Sequence, residues 1–144
     1  MSTFADSSAL VKLYADEADC EAIRALDVLV VSRIARVEVP AAIRKKQRMG
    51  ELDDEQARAL IAEFEADYFG TLNAPPRFVV VDVTSAMLDR AAALVATHPL
   101  KAYDAIQLAS ACIVREVAPA YNSFACSDTT LRAAAAAEGF TLAP

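Results

Sequence analysis

Short apolar runs, several of them β-branched and each separated by helix-length amphipathic segments, constrain this chain more than any other feature. The runs are "STFA" at 2–5, "DVLVVS" at 27–32, "FVVVDV" at 78–83 and "YNSFACS" at 121–127, and "FTLA" at 140–143 reads as a last short strand. Runs apolar on both alternate faces belong to strands covered on both sides. Helices are expected between them. Ser7–Tyr14 and Glu17–Leu26 are the first two. The third runs from Ser32 as N-cap to Gly50 as stop, and Pro40 either kinks it or marks a regular part that begins near Val39. "DDEQARALIAEFEADYF", capped by Asp53 or Asp54, gathers Leu60, Ile61, Phe64 and Tyr68 on one face. Thr84–Thr97, Lys101–Val117 and "DTTLRAAAAAEGF" with Gly139 as its stop complete the set, and "GTLNAPPR" at 70–77 is the clearest loop. Strands alternating with helices predict an α/β fold: a central, mainly parallel sheet of four to five short strands with helices on both faces. The length of 144 residues suits one domain, 1–144.

Composition narrows the class. With 56% hydrophobic and 24% charged residues, the chain is expected to fold around a real core. No apolar run reaches the roughly 18 residues of a membrane helix, and Asp6 and Lys12 interrupt any signal-peptide core. Cys20, Cys112 and Cys126 lack metal-site spacing and read as reduced thiols of a cytoplasmic protein. A net charge of −6 argues against nucleic-acid binding by the whole surface but leaves room for a local basic patch.

Four acids stand in unusual settings. Asp6 ends the first apolar run and Asp128 follows the fourth. In open parallel sheets ligands bind beyond the carboxyl ends of strands. Both acids also precede helices, so an N-cap role alone would explain them. Asp104 lies in "LKAYDAIQLASACIV", a helix apolar nearly all round, and Glu38 lies in "RVEVPAAI". A buried carboxylate without a partner is costly, and a shared cation is the simplest single explanation for four of them. Ligands that are all oxygen point to Mg²⁺ or Mn²⁺ and away from zinc. Such an ion can activate water at a phosphodiester. No G-x-S-x-G, P-loop or G-x-G-x-x-G offers other chemistry, and the single histidine, His98, reads as a turn residue before a proline.

The segments "FADSSALVKLY", "RVEVPAAI", "LKAYDAIQLASA" and "FACSDTTLRAAAAAEGF" resemble, in order, the four signature segments of PIN-domain ribonucleases, and among them the VapC toxins of bacterial VapBC toxin–antitoxin pairs. The resemblance implies a PIN-like α/β/α sandwich and a Mg²⁺- or Mn²⁺-dependent endoribonuclease. It assigns metal binding and catalysis to Asp6, Glu38, Asp104 and Asp128, with Ser7 as a polar helper. It departs at one corner: where the family has Thr or Ser two residues before the fourth acid, this chain has Cys126, and Ser127 directly precedes Asp128.

The same resemblance implies a homodimer, a cognate VapB-type antitoxin laid across the site, and RNA as substrate. The Leu60–Phe64–Tyr68 face and Leu10, Leu13 and Tyr14 are candidate apolar contacts, against the alternative that they are core. Arg33, Arg36, Arg44, Lys45, Lys46 and Arg48, with Lys12 and Lys101, are expected to rim the acids and hold the RNA backbone, against the alternative that "RKKQR" at 44–48 is a solvated helix end. Two other function classes remain at this point: a phosphoryl-accepting receiver-like domain, and a non-catalytic α/β interaction module. The first usually needs a second acid beside the first and a late lysine, which "DSS" and the stretch after Lys101 do not supply.

Overall fold

The computed structural model describes residues 2–144. Five strands, β1 (Ser2–Ala5), β2 (Val28–Ser32), β3 (Val79–Val81), β4 (Ser123–Ala125) and β5 (Thr141–Leu142), form one sheet in the order β3-β2-β1-β4-β5. Every pairing is parallel: Phe4 stands opposite Val30 on one side and Phe124 on the other. The chain builds β1, β2 and β3 outward in one direction, then crosses back to place β4 and β5 on the far side of β1. The strand order therefore reverses between β1 and β4, and in open parallel sheets ligands bind beyond the carboxyl ends of the strands at such a point.

Seven helices connect the strands: α1 (Ser7–Val11), α2 (Cys20–Arg24), α3 (Ala35–Arg48), α4 (Asp54–Phe69), α5 (Ser85–Thr97), α6 (Ala102–Val117) and α7 (Thr129–Ala137). Two cores follow from the two-residue period of the strands. Ala5, Leu29 and Val31 face the α1–α4 layer with Leu10, Val39, Ile43, Phe64 and Phe78. Phe4, Val30 and Phe124 face the α5–α7 layer with Met87, Leu108, Leu131 and Phe140. The Phe4 and Phe124 rings stack at 5.5 Å across the β1–β4 pair. The result is the expected α/β/α sandwich around a parallel sheet.

Boundaries differ where local chemistry decides them. Ser32 is the last residue of β2, not an N-cap; α3 begins at Ala35 behind Ile34, which makes no side-chain cap bond. Pro40 lies inside α3, which continues to Arg48. That helix does stop where expected. Gly50 has φ 81°, its N–H donates to the Gln47 carbonyl and the Glu51 N–H donates to that of Lys46, a Schellman ending that needs a residue at ease in the left-handed region. Of the two cap candidates for α4, Asp53 serves, in a reciprocal box with Gln56. The first two helices are shorter than expected. β3 is only three residues of an expected six and, as an edge strand, is half-exposed rather than buried.

The Leu60–Phe64–Tyr68 face and the Leu10–Leu13–Tyr14 group pack into a single core, with Leu10, Tyr14, Phe64 and Tyr68 buried and Leu13 and Leu60 against them. They are structural, and the Tyr14 hydroxyl donates to Asp67 Oδ2 at 2.7 Å. No helix among the described residues is long and apolar enough to cross a membrane.

Candidate active site

The four acids stand near the carboxyl ends of β1 and β4, close enough to feel one another's charge. Asp6 directly follows β1, and its N–H extends the ladder by donating to the Ala125 carbonyl. Its carboxylate is buried, at 4% exposure, and caps α1: Oδ1 accepts from the Ala9 N–H at 2.9 Å and the Ser8 hydroxyl at 2.7 Å. Asp128 follows β4, is exposed, and caps α7 by accepting from the Leu131 N–H at 2.8 Å. Both acids are N-caps, as their sequence positions allowed, but each cap occupies one carboxylate oxygen and leaves Oδ2 outside it.

Glu38 comes from the first turn of α3 and Asp104 from the first turn of α6, both half-buried. Glu38 Oε1 accepts the Ser7 hydroxyl at 2.8 Å and the Gln107 amide at 2.9 Å. No hydrogen bond or ion pair among the described residues holds the Asp104 carboxylate, which feels Lys101 only through its field.

The electrostatics tie the four acids together. Burial pushes the Asp6 carboxyl up from 3.8 to about 6, and the charges of Asp104 and Glu38 add to this against the two cap bonds. Burial also raises Asp104, with further repulsion from Asp128 and Glu38. The same crowd of negative charge assists burial in lifting the Cys126 thiol to about 12, so Cys126 is an inert buried thiol here. Among the described residues no three His, Cys, Asp or Glu side chains stand together as a ready metal cage. The carboxylates are electrostatic neighbours rather than closed ligands. Their donor chemistry nonetheless suits a hard divalent cation: anionic oxygens only, and mutual repulsion that a cation would relieve. Asp6, Glu38, Asp104 and Asp128 are the residues that could hold one.

Two residues that the sequence did not single out bond to these acids. Ser8 donates to Asp6 and accepts from the Ser127 N–H at 3.0 Å, so it links the ends of β1 and β4. This hydroxyl supplies a polar tie at that corner, where the Cys126 thiol makes only a long contact to the Asp128 carbonyl at 3.9 Å. Gln107, buried in α6 one turn beyond Asp104, donates to both Ser7 Oγ and Glu38 Oε1. Its only sequence signal was an amide on an otherwise apolar helix face.

The expected basic rim is largely paired. Arg33 binds Asp82, Arg36 lies near Glu65, Arg44 binds Asp54, and Lys46 binds Glu17 and Glu51. Lys45, Arg48 and Lys101 are exposed. His98 is bonded to Glu138, bridging the ends of α5 and α7. Beside Glu38 lies a cleft of about 440 Å³ lined by Ile34, Val37, Ala41 and Tyr103.

The PIN domain family model matches residues 3–118, most of the chain and all four acids but Asp128. The chain belongs to the PIN domain family. Solved structures share this PIN fold at low identity. Mycobacterium tuberculosis VapC20, described as a sarcin–ricin loop cleaving toxin, matches at 18% identity with a TM-score of 0.65, covering 99% of both chains. FitAcB from Neisseria gonorrhoeae matches at 14% with a TM-score of 0.66, over 99% of this chain and 96% of that one. A toxin–antitoxin complex from Klebsiella pneumoniae matches at 19% with a TM-score of 0.57, over 88% and 87%. No curated protein matches this PIN-domain chain.

Proposed function

We propose that this PIN domain is a Mg²⁺- or Mn²⁺-dependent endoribonuclease, the toxin of a type II toxin–antitoxin pair. The observation that carries the reading is the set of four carboxylates near the strand-order switch, from four separate segments, with Asp6 and Asp104 raised by burial and by the charges of their neighbours in the set. PIN membership favours it over a receiver-like domain, and the oxygens left outside the caps favour it over an interaction module whose acids only cap helices.

In this reading Asp6, Glu38, Asp104 and Asp128 hold the cation. When bound, the cation acidifies water and neutralises charge on the scissile phosphodiester. The Ala9 N–H and the Ser8 hydroxyl fix Asp6 by one oxygen, and Ser7 fixes Glu38 likewise. Asp6 also holds a proton near pH 6 when no cation opposes its burial. The antitoxin and a second copy of the chain are the proposed partners, and the cytoplasm, which keeps the three free cysteines reduced, the proposed compartment. The solved toxin–antitoxin complex supports such a partner, and a basic side chain reaching the acids along the apolar cleft beside Glu38 would mask them.

The test is RNA cleavage by the purified protein. Cleavage is expected with Mg²⁺ or Mn²⁺ and is expected to stop in EDTA and in Asp6→Asn. Cleavage that persists in excess EDTA would refute the metal mechanism.

A further inference from the structure

Gln107 is the one described residue with a buried side-chain polar atom that has no partner: its Oε1 accepts nothing. Its other end is engaged: Nε2 donates toward both Ser7 Oγ at 3.0 Å and Glu38 Oε1 at 2.9 Å, two acceptors that stand 2.8 Å apart. Ser7 passes its own hydroxyl hydrogen to the same Glu38 oxygen at 2.8 Å. The amide cannot turn over, because that would set its oxygen against a carboxylate oxygen. The orphaned acceptor is thus the consequence of presenting a donor to Glu38.

A buried amide with one end unsatisfied is a poor core residue; Met or Leu would fill the space without that penalty. The same turn of α6 carries Asp104, so this helix governs two of the four acids, one directly and one through its amide. We infer that Gln107 is a positioning residue: with Ser7 it pins Glu38 through Oε1 alone and keeps Oε2 free for the cation. This rests on the proposed metal-dependent cleavage. Hydrogen bonds behind a ligand typically govern affinity or activity by about 10–100-fold.

Gln107→Met removes the donor at nearly constant length. Its thermal midpoint in EDTA is expected to equal or exceed that of wild type. The Mn²⁺ concentration that half-saturates the thermal shift is expected to rise about tenfold or more, and kcat to fall by a similar factor with little change in KM. Ser7→Ala is expected to do likewise, and the double variant to lose less than the sum, since both donors serve one oxygen. If Gln107→Met does not fold, Gln107→Leu carries the test, since it also lacks the donor at similar volume, and the same rise in the half-saturating Mn²⁺ concentration is expected. An unchanged Mn²⁺ titration or an unchanged kcat in the variant overturns the role of Gln107 while leaving the metal site standing. A wild type that shows no Mn²⁺ shift overturns both.

Discussion

Asp6 concentrates the energetic problem of this fold in one side chain. It is buried at the end of the central strand, and its carboxyl sits at about 6 against 3.8 for an ordinary aspartate. The unfolded chain gives up this proton near pH 4, the folded chain only near pH 6. The stability linked to Asp6 is therefore complete below about pH 4 and is lost as pH rises through about 6, to the extent of about 3 kcal/mol. Protein in EDTA is expected to become more stable as pH falls from 7 toward 4, and Asp6→Asn, which cannot ionise, to flatten that slope. Urea denaturation at several pH values checks it; a wild-type slope of the opposite sign, or one that Asp6→Asn leaves intact, contradicts the assignment. The raised Asp104 acts in the same direction. Asp6 and Asp128 drew attention in sequence because they follow apolar runs, and Asp104 because it lies in an apolar helix, whereas Glu38 was tied to them chiefly by the family resemblance. Ser8 and Gln107 did not stand out, because a serine beside a helix start and an amide on a helix have many ordinary uses, and only the packed neighbours single them out.

At the scale of elements, two helices, α1 and α7, are capped by carboxylates of the proposed metal site. Asp128 caps α7 through one oxygen, and the cap and the proposed ligand role can be separated by substitution. Asparagine caps a helix about as well as aspartate, whereas alanine does not. Asp128→Asn is thus expected to keep the thermal stability of the protein in EDTA and lose RNA cleavage. Asp128→Ala is expected to lose both, at a cost of about 1 kcal/mol. Equal cleavage by Asp128→Asn and wild type would reduce Asp128 to its cap. The same logic explains where helix ends could be read. Gly50 and Gly139 announce themselves because few residues are at ease at positive φ, whereas Asp53 and Asp54 were equal candidates in sequence until the box with Gln56 decided between them. Ser32 misled because a serine after a strand resembles an N-cap, yet the strand keeps it and the helix starts three residues later on Ala35. The shortness of β3 was hidden because "FVVVDV" has strand character throughout, while an edge position pairs only part of it.

For the whole molecule, alternation of strands and helices foretold the parallel sheet and its two covered faces, since strands apolar on both sides have few other homes. The order β3-β2-β1-β4-β5 was not legible, because nothing local records on which side of β1 the chain returns. That order is what sets Asp6 and Asp128 at the carboxyl ends of adjacent strands, where α3 and α6 bring Glu38 and Asp104 near them. The pairing of the basic residues was equally invisible, because their partners Asp82, Glu65 and Glu17 lie far along the chain. The arrangement stands or falls on whether these acids share one cation, and Asp104 tests this most cleanly because no hydrogen bond or ion pair among the described residues depends on it. Thermal unfolding of wild type and Asp104→Asn is measured in EDTA and across a Mn²⁺ titration. Wild type should gain stability with Mn²⁺ as mass action requires. Asp104→Asn should match or exceed wild type in EDTA and gain little from Mn²⁺. A variant clearly less stable in EDTA, yet stabilised by Mn²⁺ as much as wild type, would show Asp104 to be structural and the four acids not to be one site.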